Sequence, residues 1–417
     1  MKLILPEVII TDPRSPHNGE QKDILIKDGQ ITAITDNIEK KEGYKILESF
    51  RGRWISPGWI DTRSRCGEPG FEQRETYLTL SSAASNGGYT HVAVLPSTSP
   101  TRDTRPHIES LIKSTENLDV DFLPLGSISD NLKGKKLSEV FDMQAAGAVG
   151  FSDDKKEITN PHMLQLALQY TSDLNTSIQT FCYETALSPE GQIHEGYISA
   201  HNGLPPISAL SEILRIKRDI SIHAYAGGKL HITSVSTSEG VDLIREAKKT
   251  QEGLTADVSV ANLIGTENDL ENFDSIYKTL PPLRSELDKE ALWKALLDGT
   301  IDIVASDHNP MDIESKDCEF GRAEFGAATI EHSFAWYRAV NPSQEALNKW
   351  IEAVSHNPRE LYNLGQCVIK VGCPSDFTIF ANDGRVIKKE SKGINVPKWS
   401  QNGRAVGTIL NENIIEL

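Results

Sequence analysis

Trp54-Ile55-Ser56-Pro57-Gly58-Trp59-Ile60-Asp61-Thr62-Arg63-Ser64-Arg65-Cys66-Gly67-Glu68-Pro69-Gly70 is an apolar run broken by Pro-Gly that ends in alternating charged residues. Such a run reads as a buried strand that delivers side chains to a site at its C-terminal end. Arg63 and Arg65 are two apart, so on a strand they share a face. Two guanidiniums at a closed barrel mouth need carboxylates or anions to answer them. The rest of the chain has to supply those partners.

Downstream, apolar β-rich segments alternate with helical stretches as far as about residue 365, the pattern of a parallel α/β fold. Candidate strands are 55–65, 89–97, 120–127, 148–153, 177–183, 229–236, 254–262 and 302–307. Eight is the number for a closed (β/α)8 TIM-like barrel, in which chemistry sits where strands end. Residues 287–297 and 139–146 fit helical connectors, the latter before a glycine stop.

Both chain ends are β-rich. Near the start, Glu7-Val8-Ile9-Ile10, Asp23-Ile24-Leu25-Ile26 and Ile31-Thr32-Ala33-Ile34 alternate with turns, and Asp28-Gly29 is a strong hairpin signal. Near the end, 368–372, 376–380 and 405–415 look alike. The two ends are therefore expected to pair as a small β-sandwich of residues 1–54 and 366–417, with 55–365 forming the barrel. The Pro, Gly and Ser beyond Ala381 read as loops over this small domain.

A chain of 417 residues suits one large domain with a smaller companion. Its net charge of −16 disfavours nucleic acid and anionic membranes, whose binding depends on clustered Lys and Arg. Cys66, Cys182, Cys318, Cys367 and Cys373 are odd in number and never in a CxxC pair, so they read as free thiols rather than as disulfides or a structural zinc site. With no membrane-length apolar run and no secretory signal in residues 1–6, the protein is expected to be cytoplasmic.

The strand ends carry Arg63 and Arg65, Ser97, Asp153 with Asp154, Phe181 with Cys182, Ser234, Asn262, and Asp307 with His308. A histidine cluster is missing. With these residues the chain resembles the amidohydrolase superfamily, and within it the dihydroorotase family of the long, barrel-plus-sandwich type. The resemblance runs over nearly the whole chain. It rests on Pro57-Gly58-Trp59-Ile60-Asp61, Glu68-Pro69-Gly70-Phe71-Glu72, Gly150-Phe151-Ser152-Asp153-Asp154, Glu195-Gly196, Pro281-Pro282-Leu283-Arg284 and Ser306-Asp307-His308-Asn309-Pro310, and on the spacing between them.

Active members of that family bind zinc through histidines, and the resemblance places those histidines at Arg63, Arg65, Phe181 and Ser234. All four are replaced here. The bridging aspartate is matched by Asp153 and the proton-relay aspartate by Asp307, the latter expected to be vestigial. Positions implied to contact substrate are also changed: Gly67 for an Arg, Ser97 for an Asn, Leu280 for an Asn and Met311 for a His.

Zinc chemistry needs about three or four N, O or S ligands. Here two carboxylates remain, and each fixed cation at ~4 Å repels a unit charge by on the order of 4 kcal/mol at an effective dielectric of ~20. The preferred reading has Arg63 and Arg65 salt-bridged to Asp153 and Asp307, with no cofactor and no metal. His308 and His231 are expected on the far sides of their strands as core histidines, and Cys182 as an inert buried thiol. The remaining histidines, such as His17, His107, His162 and His356, show no ligand spacing.

What the resemblance then implies is a catalytically inactive dihydroorotase-like protein of pyrimidine biosynthesis. It would be a structural partner of aspartate carbamoyltransferase and a homodimer. Three alternatives stand beside it: an active dihydroorotase or other cyclic amidase with an unconventional metal site, a protein that binds a small anionic ligand through Arg63 and Arg65, and a metal-free enzyme working on Asp153 and Asp307.

Overall fold

Eight parallel strands follow one another around a barrel in sequence order: Trp59–Ser64, Tyr89–Val94, Asp121–Gly126, Gly150–Ser152, Ser177–Phe181, Lys229–Thr233, Leu254–Ser259 and Ile303–Ala305. A parallel bridge between Ser64 and His308 joins the last strand region to the first. The computed structural model describes residues 2–38, 42–386 and 389–417.

Barrel strands are buried on both faces, so their outward residues are apolar while the interior admits polar groups. In Lys229–Thr233, Leu230 and Ile232 join Ile216, Val241 and Ile244 of the helix layer in the main core. The inward His231 bonds Thr255 and Asp257 of the next strand. Helices begin on side-chain caps, as where the Ser285 hydroxyl accepts from the Asp288 amide at the start of Glu286–Asp298, which ends on Gly299 in the left-handed region.

The chain ends build one mixed sheet, in the order Asn413–Glu416, Arg404–Leu410, Phe377–Ala381, Trp54–Pro57, Lys2–Ile10, Gln21–Lys27, Gln30–Thr35, with Lys45–Ile46 beside Lys2–Ile10. The sheet curves enough that Ile26 and Ile31 near one edge share a core with Val406 and Ile409 near the other. Asp28 and Gly29, both at positive φ, make the expected two-residue hairpin turn. Met1, residues 39–41 and residues 387–388 of the terminal segments lie outside the described residues.

Two expectations change here. The opening stretch is not one strand: Trp54–Pro57 pairs with both chain ends in the mixed sheet, and the first barrel strand begins only at Trp59. Gly58 makes the passage between the sheets, its N–H on the Asp376 carbonyl at 3.0 Å. A Cβ there would stand 2.0 Å from Asp376 Oδ1 and 2.3 Å from Thr90 Oγ1. Residues 368–372 form turns rather than a strand, because side chains take up the Ile369 backbone: its N–H donates to Asp12 Oδ2 and its carbonyl accepts from Ser15 Oγ. Asp12 also bonds His356 at 2.8 Å, tying the terminal sheet to the barrel.

Candidate functional site

The C-terminal ends of the first, second, fourth and eighth barrel strands meet in a buried charge cluster. Arg63, 1 % exposed, places Nη2 3.4 Å from Asp154 Oδ1 and Nε 3.4 Å from Asp307 Oδ1. Arg65 Nε donates to Asp154 Oδ2 at 2.6 Å, and Ser97 Oγ donates to the same oxygen at 2.6 Å. Lys155 Nζ lies 2.7 Å from Asp307 Oδ2 and also donates to the Leu280 carbonyl. Three cations thus face two carboxylates.

Asp153, expected to answer the arginines, does not reach them. Its carboxylate accepts instead from the backbone N–H groups of Ile128 (2.8 Å) and Ser129 (2.9 Å) and from the Ser129 hydroxyl. The strand ends at Ser152, and Asp154 takes φ of 56°, which turns its side chain into the cluster. Ser234 (φ 54°) and Asp307 (φ 50°) share this left-handed backbone. For non-glycine residues such backbone costs about 1–3 kcal/mol each and persists where the surroundings over-determine it. It also ends the simple two-residue alternation. His231, expected on the far side of its strand, in fact points into the barrel beside Asp257.

The electrostatics separate the two adjacent aspartates. Burial pushes Asp153 up to about 6 against the hydrogen bonds it accepts. Burial also acts on Asp154, but Arg65 and Arg63 overcome it and hold that carboxyl well below the usual range. Lys155 is lowered, by burial first and then by Arg65 and Arg63, against the pull of Asp307.

The other positions where the resemblance implies metal or substrate contacts are filled by packing. Phe181 stacks on Tyr183 at 6.0 Å and joins Ile207, Leu280 and Phe325 in a small apolar cluster. Ser234 is buried, its N–H donating to Asp257 Oδ1 at 2.6 Å. At Gly67 a Cβ would fall 2.0 Å from the Phe71 carbonyl oxygen, so this loop excludes any side chain there. Met311 is buried, its N–H on Asn395 Oδ1. His308 faces away from Asp307's partners, with Nε2 3.3 Å from Glu75 and Nδ1 accepting from the Thr329 amide. Cys182 is buried beside Asp219, and its thiol pKa is driven well up by burial and then by that carboxylate. All five cysteines are free.

Zinc, which the resemblance implies for active relatives, does not fit these residues. Guanidinium and ammonium groups offer only donors, and the two carboxylates in reach already carry salt bridges. Among the described residues no group of three or more His, Cys, Asp or Glu is arranged to hold a metal ion. Nor is any helix among them long and apolar enough to cross a membrane.

Asp154 and Lys155 are the members of the cluster that reading the strand ends did not assign. The doublet Asp153-Asp154 was the available signal, since adjacent residues seldom face the same way. Nothing in the local pattern marks Lys155, whose partner is 152 residues away.

Residues 52–240 match the family described as dihydro-orotase-like. The chain is 32 % identical to a dihydroorotase of Syntrophus aciditrophicus over 424 aligned positions, covering 100 % of this chain and 99 % of that one. It is 35 % identical to a dihydroorotase of Pelotomaculum thermopropionicum over 385 positions, covering 92 % and 90 %. Among solved structures its fold is similar to that of an L-hydantoinase from Arthrobacter aurescens, with a TM-score of 0.83 and 22 % identity over 99 % of this chain and 95 % of that one.

Proposed function

The chain belongs to the dihydroorotase family, and from that premise we infer that it is a member of pyrimidine biosynthesis that has given up metal-dependent hydrolysis. The observation carrying this reading is the cluster in which Arg63, Arg65 and Lys155 occupy Asp154 and Asp307. Ring opening of a cyclic amide in this way needs a metal-activated water and a base to take its proton. Asp307, salt-bridged to Lys155 and Arg63, serves here as a structural counter-charge.

A barrel that keeps its whole fold without the chemistry is suited to a scaffolding role. By family analogy the partner we propose is aspartate carbamoyltransferase, with this chain as a homodimer in the cytoplasm. Support for this part is the resemblance alone, since a fold does not fix function. Elemental analysis of purified protein and a dihydroorotate ring-opening assay test the first part. Substoichiometric zinc and no turnover are expected; stoichiometric zinc with turnover refutes it. Co-purification with aspartate carbamoyltransferase tests the second, and two proteins that migrate independently at micromolar concentration refute it.

A further inference from the structure

Above the charge cluster, on the side of the third to fifth barrel strands, lies an open cleft of about 410 Å3, within the roughly 300–1,000 Å3 typical of small-molecule sites. Its lysines are Lys133, Lys155 and Lys156, and its one carboxylate is Glu157. Glu157 does not neutralise them: it accepts from Arg215 Nη2 at 2.7 Å and from the Thr185 amide at 3.1 Å. Lys133 and Lys156 are exposed and have no ion-pair partner among the described residues. Lys155, with a side chain 9 % exposed, spends two of its three N–H groups on Asp307 and Leu280, leaving one.

Beneath Lys155 the charge does not balance either, because Arg63 and Arg65 add two cations to it against Asp154 and Asp307. Arg63 Nη1 is buried without a hydrogen-bond partner. On a chain of net charge −16 this is a local reversal of sign, the arrangement that concentrates anions at one place and repels them elsewhere. The remaining wall is mixed, with Tyr183, Leu280 and Phe325 offering apolar surface and Thr159, Thr185 and Ser188 offering hydroxyls. Of the positions where the family resemblance implies substrate contacts, Leu280 lines the cleft, while Gly67, Ser97 and Met311 do not.

We propose that this cleft binds a small oxyanion-bearing metabolite, a carboxylate or a phosphate, through the ammonium groups of Lys133, Lys155 and Lys156. The cleft shares Lys155 with the charge cluster, but anion binding there does not depend on whether the chain turns over a cyclic amide. Isothermal titration of the full chain with succinate and with inorganic phosphate tests it, with neutral succinamide as control. Saturable binding of at least one anion is expected, none of succinamide, and a weakening with added salt because two of the three lysines are exposed. Binding of only one anion identifies the headgroup.

A Lys133→Glu, Lys156→Glu double variant, altered at exposed positions, should lose at least about tenfold in affinity, equal to about 1.4 kcal/mol, with an unchanged melting profile. Lys156→Gln alone should fall between it and the parent. The proposal is overturned if neither anion binds saturably, or if the double variant binds as tightly as the parent.

Discussion

Asp153 and Asp154 are neighbours in sequence with opposite electrostatic roles, and exchanging each for asparagine separates them. Asp154 is 2 % exposed and accepts from Arg65 and Ser97 at 2.6 Å, with Arg63 at 3.4 Å. Asp154→Asn keeps the shape but leaves two buried guanidiniums short of a counter-charge. Breaking a buried pair from one side costs about 3–5 kcal/mol. Asp153→Asn keeps an acceptor for the Ile128 and Ser129 amides and removes a charge that burial already disfavours. Its cost is that of altered hydrogen bonds, about 1–3 kcal/mol.

The pH dependence differs in sign. Asp154 is held below its ordinary value, so its stabilisation is full above pH ~4, the usual aspartate value, and is lost only as pH falls through the lowered folded value. Asp153, raised from 3.8 to about 6, favours the folded state most below pH ~4, and that advantage is lost as pH rises through 6. Urea unfolding followed by tryptophan fluorescence, with Trp59, Trp336 and Trp350 fully buried as reporters, should therefore show two patterns. The Asp154→Asn deficit should hold at several kcal/mol from pH 5 to 8, and the Asp153→Asn deficit should change across pH 4 to 6. An Asp154→Asn variant within about 1 kcal/mol of the parent, or one costing less than Asp153→Asn, would refute the assignment of Asp154 as the counter-charge.

Lys316 is buried against the Ser275 carbonyl and Lys278 against the Phe320 carbonyl and ring, and burial lowers them to about 7 and about 8, Lys316 being lowered further by Lys278. Because the unfolded chain keeps their protons up to about pH 10, stability should rise with pH between 7 and 10, and Lys316→Met should flatten that rise in melts recorded across the range. A slope unchanged in the variant contradicts it. Gly67→Ala forces a Cβ onto the Phe71 carbonyl and should destabilise by about 1–3 kcal/mol; Gly67→Arg should not restore ring opening in the dihydroorotate assay.

Much of the architecture was legible because it rests on local, repeating signals. Buried parallel strands read as continuous apolar runs, Asp28-Gly29 as a two-residue turn, and residues 287–297 as a helical connector that the structure shows as Glu286–Asp298. That Arg63, Arg65, Phe181 and Ser234 are not histidines is plain in the sequence, and the family resemblance is what marks them, without any coordinates, as positions where metal ligands are expected.

The partners of those residues were settled only by the tertiary structure. Alternation along a strand predicts side-chain direction while the backbone stays extended, and Asp154, Ser234 and Asp307 leave that region at the strand ends. Left-handed backbone there aims Asp154 rather than Asp153 at the arginines, and the same departure from alternation explains why His231 lies inside the barrel. Lys155 meets Asp307 across 152 residues, a contact made by barrel closure and by no local pattern. The opening stretch divides at Gly58 because two sheets compete for it, and Asp376 and Thr90 leave room there for a hydrogen but for no Cβ. Sequence, through the resemblance it carries, led to the expectation that Arg63 and Arg65 stand at metal-ligand positions; the fold decided which carboxylates hold them.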